Sequence, residues 1–521
     1  MKKSIINFIV IIILFSTLKA ELVIVDNIQS LKELKTKQIK KIWVAGFRVV
    51  NDGGQGFFYW DSLSTEKEIP GLIISPISIE KGRGRWMRVF DEEINIKWLG
   101  AKGDGITDNS PKIKSIISFV RKIGGGTVYF PKGKYAISEA ISVCENLKII
   151  GDGMHLTRIL PLSTFSDIAL LRIEKTDNVK LESFELSGKK SELKKIDSYS
   201  GIYIYQSNNL NINNLYIHNF QNGGIRVLKQ STHVIIMNSE INDIAGIPGA
   251  SGVIIDDSKY CRISFCKITN CNPKDNENIN RTDDGNGIFF HKGSDGGWAF
   301  GNIFKNCGRR AIKVQSSSIR VSENYIEDCA QAGIQVQLLP KDGGPIEDIL
   351  LSNNIIKNIR FGNYGVVLEN YCKNILISNL IIDNVYAGIE IRHGVQGVKI
   401  NQCSIKNTKA WGIRIEQLET NEPPITQDIL ISNNKLNSCG NQELKPSIEV
   451  RAGKTPVELV SIYNNHILNS ANYSISIKNK NMRYIKIANN TLNSFKFENS
   501  PIYFPSGANN LYQNNTVVTV K

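Results

Sequence analysis

The sequence predicts an all-β protein: a right-handed parallel β-helix with a small N-terminal cap region and one capping helix. Three observations carry this. Short Gly/Ala-Ile-x-hydrophobic strands begin at Gly201, Gly224, Gly252, Gly287, Ala311, Gly333, Gly365, Gly388, Gly412, Ser447, Ser474 and Pro501, several of them 22 to 24 residues apart. A second strand follows in most repeats, as in Ile349-Leu-Leu-Ser-Asn-Asn354 and Ile429-Leu-Ile-Ser-Asn-Asn434. Asn302, Asn324, Asn354, Asn434, Asn465 and Asn490 recur at one corner, where asparagine suits a left-handed turn and side-chain bonding to backbone, and are expected to stack as a ladder. One repeat is too small to bury its own apolar face, so the core must come from stacking the coils.

Taken in order, the chain opens with Met-Lys-Lys-Ser, a short apolar run and Lys19-Ala20. Residues 1–20 read as a secretory signal peptide, because the apolar run is shorter than the roughly 20 residues of a bilayer span. The mature protein is then expected to be secreted or periplasmic, without a membrane span. Residues 21–95 do not repeat; glycine turns between aromatic runs, as in Gly53-Gly-Gln-Gly-Phe-Phe-Tyr-Trp60, give a few short strands of a leading cap. The β-helix domain is expected over 96–521. In it, Ser110 as N-cap, Pro111 at the first helical position and Ile113, Ile116, Ile117 and Val120 at helical spacing predict one amphipathic helix, stopped by Gly124-Gly-Gly126. Asp104 and Asp108 are assigned turn and capping roles.

The formal charge is +14, and +11 once Lys2, Lys3 and Lys19 leave with the signal segment. In an exported protein this balance favours an acidic polysaccharide as partner; no compact basic block supports nucleic acid. Nine cysteines are an odd number, and Cys271, Cys307, Cys329 and Cys439 share one repeat position, so stacked free thiols are expected rather than disulfides.

The run from Trp98 to Asp108, the helix after it and Gly124-Gly-Gly-Thr-Val-Tyr-Phe-Pro-Lys-Gly-Lys-Tyr135 resemble the opening of the pectate lyase superfamily β-helix domain. The preceding Gly-Gln-Gly-Phe-Phe-Tyr-Trp and Gly-Arg-Trp-Met-Arg88 segments are similar to the leader often found before that domain in phage tailspikes. The resemblance implies the fold and a carbohydrate ligand. Because the superfamily spans several chemistries, it implies no single reaction.

Writing each repeat as Gly-Ile-x-Val-y, x and y point outward by strand alternation. The x column reads Tyr203, Arg226, Ile254, Phe289, Lys313, Gln335, Val367, Glu390, Arg414, Glu449, and the y column Tyr205, Leu228, Asp256, His291, Gln315, Gln337, Glu369, Arg392, Glu416, Arg451. Towards the C-terminus charges alternate and cancel, the pattern of a structural ladder that also offers Glu369 and Arg392 to sugar hydroxyls. In the middle they do not cancel. Tyr203, Tyr205 and Phe289 offer flat faces to sugar rings; Arg226, Arg309, Gln315, Gln335 and Gln337 offer hydrogen bonds. Lys313, His291, Arg310, Asp256 and Asp284 are the candidate catalytic groups. Asp256, Asp257, Asp283 and Asp284 are candidate Ca2+ ligands. Insertions after Asn272 and around Pro340 are expected to wall the cleft.

Three readings follow. A lyase on a uronate-containing chain would use Lys313 or His291 as base, with an arginine or Ca2+ neutralising the carboxylate; a C5-epimerase needs nearly the same groups. A hydrolase similar to polygalacturonases or tailspikes would need two carboxyls about 6.5–9.5 Å apart. Ala-Ile-Lys313 faintly resembles a polygalacturonase element, but the Asn-Thr-Asp and Gly-His-Gly elements are missing. The third reading is a non-catalytic carbohydrate-binding surface protein.

Overall fold

Parallel stacking organises the chain from Glu93 onward. The computed structural model describes residues 22–518 except 36–38, 80–81, 190–198, 247–248, 273–284, 339–342, 362, 418–423, 480, 497–499 and 506–510. The signal segment and the insertion carrying Asp283 and Asp284 lie outside the described residues, as does most of the loop at Pro340.

Each coil contributes one strand to a continuous 14-stranded parallel sheet, from Ile141–Ser142 to Ile502–Tyr503. Two further strands per coil form a second and a third face, which run into each other through a tight corner, as Trp298–Phe300 does into Ile303–Lys305. Inward Ile, Val, Leu and Phe side chains of all three faces fill one unbroken core, with Ile225, Ile288, Ile312, Ile334 and Ile389 fully buried. Glycine recurs at the strand starts because the rungs approach closely there. A Cβ on Gly224 would lie 2.7 Å from the Gly252 carbonyl oxygen, and one on Gly388 2.3 Å from that of Gly412.

The corner between the second and third faces carries the asparagine ladder in two runs. Asn302 Nδ2 donates to Asn324 Oδ1 at 3.0 Å, and Asn324 Nδ2 to Asn354 Oδ1 at 2.9 Å. Leu380 and Cys403 then take the position, and the ladder resumes at Asn434, Asn465 and Asn490, ending on Asn515. The left-handed backbone is not on these residues, contrary to expectation. It falls one residue earlier, on Glu323 (φ 59°), Asn353 (φ 55°) and Asn433 (φ 57°), leaving the ladder asparagines free to point inward and bond the buried backbone.

All nine cysteines are buried and free. The thiols of Cys271, Cys307 and Cys329 touch in succession, and these contacts with burial push the Cys307 thiol well up. Cys439 holds the same coil position farther on, separated by Ile359, Val385 and Thr408.

Two α-helices occur among the described residues. The short α1 (Ile28–Glu33) belongs to the leader, whose five strands between Val23 and Arg88 enclose a separate small core of Ile28, Leu31, Ile42, Val44, Phe58, Ile74 and Trp86. The longer α2 (Ser110–Lys122) closes the N-terminal end of the solenoid, burying Ile113, Ile116, Ile117 and Val120. Its N-cap is Asn109, one residue before the expected Ser110, because Asp108 already accepts from the Ser110 backbone N–H at 2.9 Å. The Ser110 hydroxyl instead accepts from the Ser138 N–H. Asp104 accepts from the Ile106 and Thr107 backbone, so both aspartates serve turns and caps.

Asn324→Ala would strand the Ala299 and Ser322 carbonyls and the Asn302 amide in the core. Each unmade buried bond costs about 1–3 kcal/mol, so the variant is expected to lose about 3 kcal/mol or more, read as a lower denaturant midpoint.

Candidate functional site

The outward columns of the 14-stranded sheet are in the register expected from the repeats. Tyr203 pairs with Arg226, Arg226 with Ile254, Ile254 with Phe289, Phe289 with Lys313, and Lys313 with Gln335. In the second column Leu228 pairs with Asp256 and Gln337 with Glu369; the His291 N–H donates to the Ile255 carbonyl, which sets His291 beside Asp256.

At the centre, His291 Nδ1 lies 2.5 Å from Asp256 Oδ1, and the Lys229 ammonium lies 3.3 Å from Asp256 Oδ2. Burial pushes the Asp256 carboxyl up, but the His291 hydrogen bond and the Lys229 charge outweigh it and hold it below its ordinary value. An ionised Asp256 fixes the imidazole proton on Nδ1 and leaves Nε2 as the nitrogen that accepts a proton. The Phe289 ring stands edge-on to His291 at 5.0 Å, and the Lys313 ammonium lies over its face at 4.6 Å. On one side Tyr203 and Tyr205 lie parallel, 6.3 Å between ring centres, with the Arg226 guanidinium 6.0 Å above Tyr203. These groups form one open zone with a base, a cation and flat apolar faces.

The arginines before Lys313 are placed differently. Arg309 donates from Nε to Gln331 at 3.1 Å, and Arg310 is 3% exposed at the start of its strand. Gln315 is buried as well. Of the candidate calcium ligands, Asp256 is engaged by the Lys229 ammonium and the His291 imidazole, Asp283 and Asp284 lie outside the described residues, and no cluster of three or more ligating groups occurs among those described.

The zone ends at Gln335, whose Nε2 donates to Glu369 Oε2 at 2.7 Å. Beyond it runs the charge ladder. Arg392 bonds Glu369 at 2.9 Å, Glu390 at 2.6 Å and the Tyr364 hydroxyl; Arg414 reaches Glu390, Glu416 and Glu449; Arg451 and Lys478 close the far end. Glu369 and Arg392 are thus tied into this ladder. Glu390, Glu416 and Glu449 are buried, Glu390 completely, and Trp411 stacks on Arg414 at 4.1 Å. Burial pushes the Glu390 carboxyl up against the pull of its arginines.

Sequence reasoning missed a second cluster, on the third face. Glu185, 1% exposed, accepts from Arg158 Nε at 2.7 Å and pairs with His218 Nε2 at 2.7 Å; His218 stacks on Tyr216 at 4.3 Å, and His155 meets Tyr216 edge-on at 5.1 Å. Its signal is Tyr216-Ile-His218, an outward pair two residues apart in a strand of the third face, which the Gly-Ile-x-Val-y pattern of the first face does not include.

Comparison with known proteins follows the same division of the chain. Residues 24–91 match a phage tail protein small four-stranded β-sheet domain, and residues 93–184 the model for rhamnogalacturonase A/epimerase, pectate lyase-like proteins. Residues 200–341 and 340–455 match the right-handed β-helix region. The chain carries a pectate lyase-like segment followed by a right-handed β-helix region. Among curated relatives of this β-helix protein, alginate lyase 7 of Azotobacter vinelandii is 43% identical over 74 residues, 13% of this chain and 9% of that protein. Mannuronan C5-epimerase AlgE1 of the same organism is 30% identical over 125 residues, 22% of this chain and 9% of the relative. The chain therefore spans less than a tenth of either. Gene product 12 of bacteriophage phi29 has the same fold, with TM-score 0.56 at 17% identity, covering 82% of this chain and 58% of that one.

Glu185 gives a pH prediction. Burial raises its carboxyl, but His218 and Arg158 outweigh this and hold it below its ordinary value. A depressed carboxyl stabilises the fold above its unfolded pKa, and that stability is lost as pH falls through the folded value. Glu185→Gln should therefore lose about 3 kcal/mol near neutrality and less in acid, seen as a flatter acid limb in thermal melts.

Proposed function

We propose that the protein is an exported polysaccharide lyase that cleaves an acidic, uronate-containing chain across the open zone of the 14-stranded sheet. The observation that carries this reading is the Asp256–His291 pair at 2.5 Å, one rung from the Lys313 ammonium over Phe289. His291 Nε2 takes the proton from C5 of the uronate. Lys313 faces the carboxylate and the enolate-like charge that develops as that proton leaves. The C4–O bond then breaks, C4=C5 forms, and the departing oxygen takes a proton from solvent. Tyr203, Tyr205 and Phe289 hold neighbouring sugar rings, and Arg226 bonds their polar groups; Gln335, buried and bonded to Glu369, closes this end of the zone. The likeness to an alginate lyase supports a uronate polymer as substrate. Export rests on the N-terminal segment 1–20, with its two leading lysines and short apolar run.

A C5-epimerase shares the first half of this reaction, and the likeness to a mannuronan epimerase supports keeping it as the second reading. There, the carbanion is reprotonated from the opposite face and no chain is cut. Hydrolysis has less support, because Asp256 is already engaged by the Lys229 ammonium and by His291 Nδ1.

The protein should be incubated with alginate and polygalacturonate in deuterated buffer. Ultraviolet-absorbing unsaturated ends are expected; deuterium at C5 without new ends marks the epimerase, reducing ends without unsaturation mark a hydrolase, and retention without reaction marks a binding protein. His291→Ala should lower kcat by about 10²–10⁴-fold and Lys313→Ala by about 10²-fold or more, with unchanged melting; full activity in either would overturn its role.

A further inference from the structure

The cluster at Glu185 is one end of a longer feature. Down the third face, Tyr216 pairs with Glu240 and Glu240 with Lys267, while beside them His218 pairs with Asn242, Asn242 with Thr269 and Thr269 with Lys305. These rungs floor a groove of about 720 Å³ that runs from Tyr216 to Arg360. Neighbouring rungs are about 4.8 Å apart, so the groove offers side chains at nearly the repeat of an extended chain.

We propose that this groove is a second polysaccharide-binding site, separate from the cleft of the 14-stranded sheet, which holds an acidic glycan without cutting it. The argument has three parts. Tyr216 provides a flat face at one end, and that face is set in advance: buried Glu185 fixes His218, and His218 lies under Tyr216 at 4.3 Å and an interplanar angle of 18°. Aromatic rings held in this way bind the C–H faces of sugars with little ordering cost. The middle carries a braced amide and hydroxyl row: Asn242 Oδ1 accepts from Thr269 at 2.9 Å and from Asn270 at 2.8 Å, and Asn306 donates to Asn270 at 2.7 Å. Such groups match sugar hydroxyls.

The charges give the third part. Lys267, Lys305 and Arg360 line the groove among the carboxylates of Glu240, Asp328 and, beside Lys305, Glu327. Lys267 meets Glu240 at 3.6 Å, and Lys305 lies between Glu327 at 3.5 Å and Asp328 at 3.7 Å, with both lysines more than half exposed. Exposed pairs of this length hold about 0–1 kcal/mol, so either ammonium can turn to a uronate carboxylate at small cost. Glu185 and His218 act here as positioning residues.

The inference rests on the reading that the ligand is an acidic polysaccharide, and the test separates the two. Full-length protein is run by affinity electrophoresis through gels containing alginate or polygalacturonate, with dextran as neutral control. The background is His291→Ala/Lys313→Ala, which removes the proposed cleavage. This variant should still be retarded by an acidic polymer. Adding Tyr216→Ala should weaken retardation by about 2- to 12-fold in apparent Kd. Lys267→Glu/Lys305→Glu, which disturbs no buried contact, should weaken it further and should make it insensitive to salt. Retardation unchanged by both sets of substitutions, in proteins that melt normally, would overturn the proposal; so would a background variant that is not retarded at all. If the wild type cuts neither polymer but its retardation needs Tyr216 and Lys305, the second site stands and the lyase reading falls.

Discussion

Every coil lies in parallel register on the one before it, so each side chain meets the residue at the same position one rung away. This single constraint shapes the molecule. It lines up asparagine amides so that one side chain bonds the next, as from Asn302 through Asn354. It brings three thiols into contact and forces glycine where successive backbones nearly touch. Stability is therefore spread along columns, and one altered rung disturbs the two beside it.

The same constraint decides which charges are available for chemistry. Where opposite charges follow one another, from Glu369 to Lys478, each ion is taken up by its neighbours, and Glu390, Glu416 and Glu449 can be buried because arginines surround them. Where the column supplies Phe289 under Lys313 and a single Asp256 beside His291, the charges stay turned to the surface of the sheet. Inserted segments follow the Cys271 corner next to this zone, and the ladder side is roofed by Tyr364, Tyr386 and Trp411. One face thus carries a working zone and a structural zone.

The β-helix was legible from spacing because a period of 22 to 24 residues with alternating strands admits few other folds. The outward register was legible too: inward Ile and Val leave one parity for Tyr203, Lys313 and Glu390. Three things were not. The helix cap shifted to Asn109 because Asp108, distant from the apolar stripe, competes for the Ser110 amide. The left-handed residue sits one place before each ladder asparagine, a difference of backbone angle that composition does not encode. The Glu185–His218–Tyr216 cluster depends on aligning the third strand of each coil, where Arg158, Glu185 and Tyr216 come from rungs with little likeness in sequence.

The central claim is that the rungs around His291 and Lys313, and not the charge ladder, receive the sugar chain. A crystal structure of the His291→Ala variant soaked with an acidic oligosaccharide tests this most directly. The account predicts a uronate carboxylate beside the Lys313 ammonium and sugar rings against Phe289 and Tyr203. An oligosaccharide lying instead along the Glu390, Arg414 and Glu449 rungs, with the Lys313 region empty, would contradict it.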